Sequence, residues 1–245
     1  MCLASAPASA GTTACWFDNG AIIVPAAFGE MAGEFILDPS TAKSVMHVTA
    51  AEETGIEGAS ATATLRLAGR RRVAFAMEVA DLSDREQGLV TSLVGILGAD
   101  ALAGEVVDIQ TAPCRVRIGP GGPPLARAIR LPLRRIGGIP AVRAAISDGM
   151  ASRTGWFAID TGRLGARIAD ARLTRAAPAD AGETPGRLRA ISMAGVLYEQ
   201  TPAGLMTPSA PGLAGSIGET VWSNYKIRLD LRHGVLELGA TGGAR

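Results

Sequence analysis

Two copies of one short pattern, separated by about half of the chain, constrain the fold most strongly. The clearer copy is GWFAIDTG at residues 155–162, and the other is GEFILDPS at residues 33–40. In each copy a glycine lies five residues, and a phenylalanine three residues, before an aspartate. These aspartates, Asp38 and Asp160, are 122 residues apart in a chain of 245. The repeat predicts two similar halves, each of which ends a strand on one carboxylate.

The segments downstream of the two aspartates also repeat. LVGILG at residues 93–98 and LAGSIG at residues 213–218 both end on glycine, 60 residues after Asp38 and 58 residues after Asp160. Similar elements at nearly equal offsets favour a duplication over a chance recurrence of one motif. We therefore expect the second half of the chain to repeat the fold of the first half.

Short apolar segments bounded by glycine or proline follow one another along the first half, which is typical of strands. We predict strands over residues 21–28, 34–37, 61–67, 73–79, 93–98, 106–109 and 114–118. Residues 44–54 fit either a strand or a short helix, and residues 99–105 are predicted to form a short helix. The first two strands make a hairpin that ends on Asp38.

The second half is predicted to follow the same order. We predict strands over residues 139–146, 155–159, 187–197 (one or two strands), 213–218, 227–231 and 235–238. Residues 176–186, rich in Ala, Pro, Asp and Gly, are predicted to be a loop. Long helical patterns are few, so the predicted class is all-β.

Glycine and proline also mark the boundary between the halves. The run GPGGPP at residues 119–124 is the strongest break and the best linker candidate. We predict the following division: flexible N-terminus 1–15, N-terminal lobe 16–119, linker 120–138, C-terminal lobe 139–239 and tail 240–245.

Composition excludes several other classes of protein. Hydrophobic residues make up 47% of the chain and charged residues 19%, which is enough apolar material for a core. The net charge of +1 gives no electrostatic reason to expect binding to nucleic acid or to an anionic membrane. No stretch reaches the roughly 18 apolar residues that a membrane-spanning helix needs.

The first residues and the cysteines bear on location. Residues 8–10, ASA, resemble a signal-peptidase cleavage site, and Cys2 alternatively fits the first residue of a lipid-anchored mature chain. Both interpretations predict an exported protein, periplasmic or secreted; the alternative is a cytoplasmic one. Cys2, Cys15 and Cys114 fit no zinc pattern. In an exported chain a bridge between Cys15 and Cys114 would leave Cys2 unpaired, and three unrelated thiols are the other alternative.

Two carboxylates at the ends of equivalent strands can meet on a pseudo-two-fold axis. When they lie about 3 Å apart they cannot both ionise, so they share a proton. One then acts as a general base on water, while the protonated partner polarises a carbonyl group. This chemistry hydrolyses an amide without a metal ion and without a covalent intermediate.

These residues resemble the active-site segments of the pepsin and retropepsin-like aspartic proteases. FAIDTG at residues 157–162 is similar to the family's Asp-Thr-Gly loop, and VGILGADAL at residues 94–102 to its apolar-apolar-Gly strand and short helix. The resemblance covers nearly the whole chain after about residue 16. It implies a bilobal fold of two fused retropepsin-like lobes, each a β-barrel-like unit, in a monomer that forms an intramolecular pseudo-dimer.

The resemblance also implies the roles of individual residues. Asp38 and Asp160 would be the catalytic pair, and Thr161 and Gly162 would support them. The first copy departs from the family pattern, because Pro39 and Ser40 stand where Thr or Ser and then Gly are expected. Pro39 has neither a hydroxyl nor an N–H group.

Two functions follow from this mixture of match and mismatch. One is an aspartic endopeptidase that cleaves a peptide or protein substrate. The other is a catalytically impaired module that binds a peptide or protein partner in the cleft between the lobes. Neither requires a cofactor or a metal ion. The flap that covers the cleft in the family is expected within residues 53–72.

Overall fold

Strands dominate the part of the chain that the structure, a computed structural model, describes. This part comprises residues 11–170, 172–173 and 186–241. Its helices are three short segments, α1 (Val48–Glu53), α2 (Ser83–Glu86) and α3 (Glu219–Trp222). Its strands form three sheets, so the predicted all-β class is confirmed. None of the described helices is long and apolar enough to cross a membrane.

The N-terminal lobe is a seven-stranded sheet that closes on itself. Its strands are β2 (Trp16–Asp18), β3 (Ala21–Phe28), β4 (Met31–Leu37), β5 (Val45–His47), β6 (Ser60–Leu67), β7 (Arg70–Ala80) and β8 (Gly95–Leu97). The spatial order is β2-β3-β4-β8-β5-β7-β6, and a further pairing between β3 and β6 closes six of these strands into a barrel.

The C-terminal lobe repeats this arrangement strand for strand. Its strands are β12 (Arg134–Ile136), β13 (Ile139–Ser147), β14 (Ser152–Ile159), β15 (Ala166–Ile168), β16 (Gly186–Met193), β17 (Val196–Leu205) and β18 (Leu213–Ile217). The order is β12-β13-β14-β18-β15-β17-β16, and β13 pairs with β16 to close the second barrel. The duplication that the sequence predicted is therefore present in the topology.

A third sheet of six strands joins the two lobes. It is formed by β1 (Gly11–Ala14), β9 (Val106–Thr111), β10 (Cys114–Gly119), β11 (Ile129–Pro132), β19 (Tyr225–Asp230) and β20 (Val235–Ala240). At its centre β9 pairs with β19, so strands from both halves of the chain hydrogen-bond to each other. This pairing fixes the two barrels in one molecule.

The parts of the hairpins that lie nearest the aspartates, residues 21–24, 35–37 and 157–159, are buried on both faces, which explains why they are apolar without a break. In β3, Ile22 and Val24 pack in the main core, whereas Ala21 and Ile23 pack in a second cluster on the opposite face. Successive side chains of a strand point to opposite faces, so both faces require apolar residues. The same alternation occurs in β14, where Phe157 lies in the main core and Ala158 in a third cluster.

The glycine that ends each downstream run has a steric reason. A Cβ atom at Gly98 would lie 2.6 Å from the carbonyl oxygen of Thr41, in the loop after Asp38. At Gly218 it would lie 2.1 Å from the carbonyl oxygen of Gly165, in the corresponding loop of the second lobe. Only glycine lets these loops pack against their strands. For this reason a glycine recurs about 60 residues after each aspartate.

Three sequence predictions need correction. Residues 99–105 form consecutive turns rather than a helix; Leu102 N–H, for example, donates to the carbonyl of Ala99 three residues earlier. Gly11–Ala14, expected within a flexible N-terminus, forms β1 against β10. The expected linker, 120–138, contains β11 and β12, whose backbones pair with β20 and β13 respectively. Most of the loop predicted over residues 176–186 lies outside the described residues.

A disulfide joins Cys15 to Cys114 and ties the start of the N-terminal lobe to β10 of the joining sheet. Its two residues are 99 positions apart in the sequence, so the bond closes a long loop in the unfolded chain. A constraint of this length restricts the unfolded state strongly.

We expect replacement of Cys114 by serine to lower the free energy of unfolding by about 2–5 kcal/mol. Urea unfolding monitored by fluorescence measures the change. Cys15→Ser is the matched control, and the double variant should be no less stable than either single variant, because each removes the same bond. A loss below about 1 kcal/mol, or additive losses, would contradict this assignment.

Candidate active site

The two aspartates occupy equivalent positions, each directly after the strand that delivers it. Asp38 follows β4, and its N–H donates to the carbonyl of Leu97 at 2.9 Å. Asp160 follows β14, and its N–H donates to the carbonyl of Ile217 at 3.0 Å. Both side chains are buried, with 0% and 3% exposure respectively. The duplicated topology thus presents one carboxylate from each lobe at the junction between them.

One hydrogen bond connects the two loops directly beneath the carboxylates. Thr161 Oγ1 donates to the backbone carbonyl of Leu37, the residue before Asp38. Ile22 N–H donates to the Thr161 carbonyl at 2.8 Å, which adds a second tie between the C-terminal loop and the N-terminal lobe. Pro39, at the position that corresponds to Thr161, has no hydroxyl to make the reciprocal bond.

Arg85, which the sequence analysis missed, provides a different connection between the loops. Its Nη2 lies 2.9 Å from Asp38 Oδ2 and donates to the carbonyl of Gly162 at 3.3 Å. One guanidinium group therefore contacts both loops. It provides a connection from the N-terminal lobe that Pro39 cannot make, because proline has no donor group. A Cβ atom at Gly162 would lie 2.4 Å from this Nη2 and 2.8 Å from Asp38 Oδ2, so the approach requires glycine there.

The carboxylate of Asp38 is surrounded by donors. Its Oδ1 accepts from Ser40 N–H at 2.9 Å and from Ser40 Oγ at 2.6 Å. Its Oδ2 accepts from Thr41 Oγ1 at 3.2 Å and from Arg85. Ser40 thus keeps the amide contact expected of a glycine and adds a hydroxyl contact. Asp38 thus has four hydrogen-bond donors, one of them a cation, whose hydrogen bond is charge-assisted.

Asp160 has fewer donors and opens onto the cleft. Its Oδ1 accepts from Gly162 N–H at 3.1 Å, and its Oδ2 accepts from Ser216 Oγ at 2.9 Å. Burial and the negative charge of Asp38 together raise the pKa of Asp160 to about 7. The nearby charges of Arg85 and Arg163 and the Ser216 hydrogen bond oppose it. Asp160 therefore holds a proton across the acidic range, next to an ion-paired Asp38.

The cleft between the lobes has a volume of about 830 Å³. Asp160 lines it, and Asp38 lies behind Arg85 and Ser40. On the N-terminal side the lining comes from residues 40–42 and from the segment around α2. Residues 53–72, expected to hold a flap, do not line it: most of them belong to the end of α1, β6 and the start of β7.

The segment that carries Arg85 is held firmly in place. Asp18 Oδ2 accepts the N–H groups of Val90 and Thr91 at 2.9 and 2.8 Å. Leu82 and Leu93 are buried in the cluster on the outer face of β3 and β4. The guanidinium of Arg85 is consequently positioned by its segment, and not by its bond to Asp38 alone.

Comparison with known proteins supports the fold. No protein-family model and no curated protein matches the sequence. Among solved structures, the aspartic proteinase from Irpex lacteus is similar, with a TM-score of 0.60 and 13% identity over 96% of this chain and 98% of that chain. At this identity the likeness concerns the fold. The chain therefore has the bilobal, all-β fold of a pepsin-like aspartic proteinase, as the sequence resemblance implied.

The structure brings all six sequence-predicted site residues, Asp38, Pro39, Ser40, Asp160, Thr161 and Gly162, to one junction. It adds Thr41, Arg85 and Ser216, which also bind a carboxylate. Ser216 lies inside the repeated LAGSIG run, so its place in the repeat was a usable signal. Arg85 lies in a polar segment that the sequence marks as a loop, and nothing local predicts its contact. The described residues contain no cluster of three or more His, Cys, Asp or Glu suited to a metal ion.

Replacing Thr161 by valine should weaken the connection between the lobes. Valine keeps the shape of threonine but leaves the buried Leu37 carbonyl without its hydroxyl donor, at a cost of about 1–3 kcal/mol in unfolding free energy. Urea unfolding measures the loss. Thr161→Ser, which keeps the hydroxyl, is the matched control and should remain within about 1 kcal/mol of the wild type. Equal losses in both variants would show that packing, and not the bond, is responsible.

The raised pKa of Asp160 makes stability depend on pH. Between its ordinary value of 3.8 and about 7, the native state binds more protons than the unfolded state. The resulting stabilisation is fully present below about pH 4 and is lost as the pH rises through 7. Relative to Asp160→Asn, wild-type unfolding free energy should fall by a few kcal/mol over this range.

Urea unfolding of both proteins at intervals from pH 4 to 8 tests this expectation. Asp84→Asn, which alters an exposed aspartate of the same cleft, should keep the wild-type slope. Parallel pH profiles for the wild type and Asp160→Asn would show that Asp160 is not protonated in the native state.

Proposed function

We propose that this chain hydrolyses peptide bonds with Asp38 and Asp160 as a pair that shares one proton. The observation that supports the proposal is the placement of two buried carboxylates on equivalent loops that Thr161 and Arg85 join. The charge of Asp38 contributes to the raised pKa of Asp160, about 7. Neighbouring carboxylates that influence each other in this way hold one proton between them over a broad pH range. An acid and a base are then available at the same pH, as metal-independent amide hydrolysis requires.

In the proposed reaction, Asp160 is the acid and Asp38 the base. The Asp160 carboxyl donates its proton to the oxygen of the scissile carbonyl, while Asp38 takes a proton from the attacking water. The water oxygen bonds to the carbonyl carbon and forms a tetrahedral diol. The C–N bond then breaks as the proton on Asp38 passes to the leaving nitrogen, and one diol hydroxyl returns its proton to Asp160.

Arg85 limits access to this pair. Asp38 has no exposed surface, and the Arg85 guanidinium covers Oδ2 with only 15% of its own side chain exposed. Water reaches Asp38 only when Arg85 or Ser40 moves aside. We therefore propose that substrate entering the cleft displaces Arg85 from Asp38, which uncovers the base.

A single chain supplies both carboxylates, so the proposed active unit is a monomer with an internal pseudo-dimer. The substrate is proposed to be a peptide or protein segment in the cleft, since the cleft runs between the lobes and has Asp160 in its lining. The disulfide between Cys15 and Cys114 supports a location in an oxidising compartment, periplasmic or extracellular.

Cleavage of a broad peptide mixture, measured by mass spectrometry from pH 3 to 8, tests the proposed activity. We expect cleavage that persists through acidic pH and declines as the pH passes about 7, where Asp160 loses its proton. Asp38→Asn and Asp160→Asn should each reduce cleavage by at least about a hundredfold, because each removes one partner in proton transfer. Glu78→Gln, a change at an exposed carboxylate outside the cleft lining, is the control.

The second candidate function is peptide binding without hydrolysis. The complete burial of Asp38 beneath Arg85 favours it, together with the loss of the reciprocal cross-link at Pro39. In that case the wild type leaves every peptide intact at every pH but retains some of them in equilibrium dialysis. Arg85→Ala separates the two functions: it raises the cleavage rate if Arg85 only covers Asp38, and leaves cleavage absent in a binding module.

A further inference from the structure

Two arginines of the C-terminal lobe line the cleft without an ion-pair partner among the described residues. Arg163 and Arg167 are both half-buried and both contribute to the cleft lining. Neither side chain makes a hydrogen bond or an ion pair within the part of the chain that the structure describes. Arg85, by contrast, is occupied by Asp38. A half-buried guanidinium without a partner has lost part of its hydration and gained nothing in return.

Both arginines are close to the reacting groups. Arg163 follows Asp160 by three residues and interacts with its charge. Arg167 lies on β15 opposite Ser216 of β18, the residue whose hydroxyl donates to Asp160. A ligand held by these guanidinium groups would therefore lie beside Asp160, within the cleft.

The electrostatic environment of Arg163 favours an anion. Burial and repulsion from Arg85 and Arg167 together lower the pKa of Arg163 to about 10, against the attraction of Asp160 and Asp38. The group remains charged at neutral pH, at a cost that a bound anion would relieve. This repulsion also indicates that the three guanidinium groups share one region of the cleft.

Acidic groups among the described residues do not balance these charges. Asp38 also attracts Arg163, but it is already ion-paired with Arg85. Among the described residues that line the cleft, the carboxylates are Asp84 and Asp160. Asp160 is protonated below about pH 7, and Asp84 is exposed on the opposite, N-terminal side. The cleft is therefore positive next to Asp160 at the pH where catalysis is proposed.

We infer that Arg163 and Arg167 form a subsite that binds a carboxylate of the peptide, so that the cleft selects acidic peptides. Guanidinium groups bind carboxylates through charge-assisted hydrogen bonds, and one guanidinium often donates two parallel hydrogen bonds to one carboxylate. The carboxylate comes either from a Glu or Asp side chain or from the end of the peptide chain. The inference rests on the proposed function only in taking the ligand to be a peptide.

Matched peptides test the subsite. The test uses a set of octapeptides with amidated C-termini that carry Glu at each position in turn, and the same set with Gln. Cleavage by the wild type is followed at pH 5, and equilibrium binding to Asp160→Asn is measured by fluorescence anisotropy. At one position we expect Glu to be preferred over Gln by about tenfold in Kd and in kcat/KM, mainly through KM.

Variants assign the preference to the two arginines. Arg163→Gln and Arg167→Gln should each reduce the Glu-to-Gln ratio to near one, whereas Arg163→Lys, which keeps the charge, should retain part of it. Arg71→Gln removes an exposed arginine outside the cleft lining and should leave the ratio at its wild-type value. The Gln peptides should bind the arginine variants and Asp160→Asn alike, which shows that the variants are folded.

The outcomes separate this inference from the proposed hydrolysis. Cleavage without any preference for Glu or for a free C-terminal carboxylate, or a preference that survives both Arg→Gln changes, overturns the subsite and leaves hydrolysis standing. A Glu preference in binding with no cleavage supports the subsite and overturns hydrolysis. A second set with free C-terminal carboxylates identifies the source: tighter binding of the free acids than of the amides, independent of Glu, assigns the subsite to the chain terminus.

Discussion

The burial of two carboxylates at one junction is the constraint on which the rest of this structure depends. Two ionised acids cannot share a buried site without a large repulsion, so the protein must supply a proton, compensating donors or both. It supplies them unequally. Asp38 receives four donors, including the Arg85 guanidinium, whereas Asp160 keeps a proton, with its pKa raised to about 7. The barrels, the joining sheet and the packed glycines hold this pair in place.

The departure from symmetry is concentrated in the N-terminal loop. The C-terminal Thr161 reaches across to the Leu37 carbonyl, but Pro39 returns no bond. Arg85 restores a contact between the loops through Asp38 and the Gly162 carbonyl. This replacement changes access to Asp38. A hydroxyl that bonds to the neighbouring backbone would not cover the Asp38 carboxylate, whereas the Arg85 guanidinium does. Arg85 thus both connects the two loops and covers Asp38.

The barrels are alike, and the connections between their strands give the two lobes different roles. The segment from β7 to β8, residues 81–94, holds α2 and brings Arg85 to the junction, whereas its counterpart from β17 to β18 spans only residues 206–212. Between β5 and β6 lie α1 and a short loop rather than a hairpin over the cleft. The C-terminal lobe contributes most of the cleft lining, including Arg163 and Arg167, which have no ion-pair partner among the described residues. In this molecule the N-terminal lobe covers a carboxylate, and the C-terminal lobe supplies most of the cleft wall.

The sequence by itself determined the duplicated architecture, the succession of strands along the chain, and the placement of Asp38 and Asp160, with Thr161 and Gly162, directly after a strand. These features are local: strand alternation, glycines at close backbone approaches and a carboxylate at a strand end leave their pattern in neighbouring residues. Only the tertiary structure decided that Arg85 binds Asp38 across 47 positions of sequence, and that Ser216 binds Asp160 across 56. The protonation of Asp160 depends on such distant contacts. Burial and neighbouring charges act through space, so they produce no recognisable pattern in the sequence.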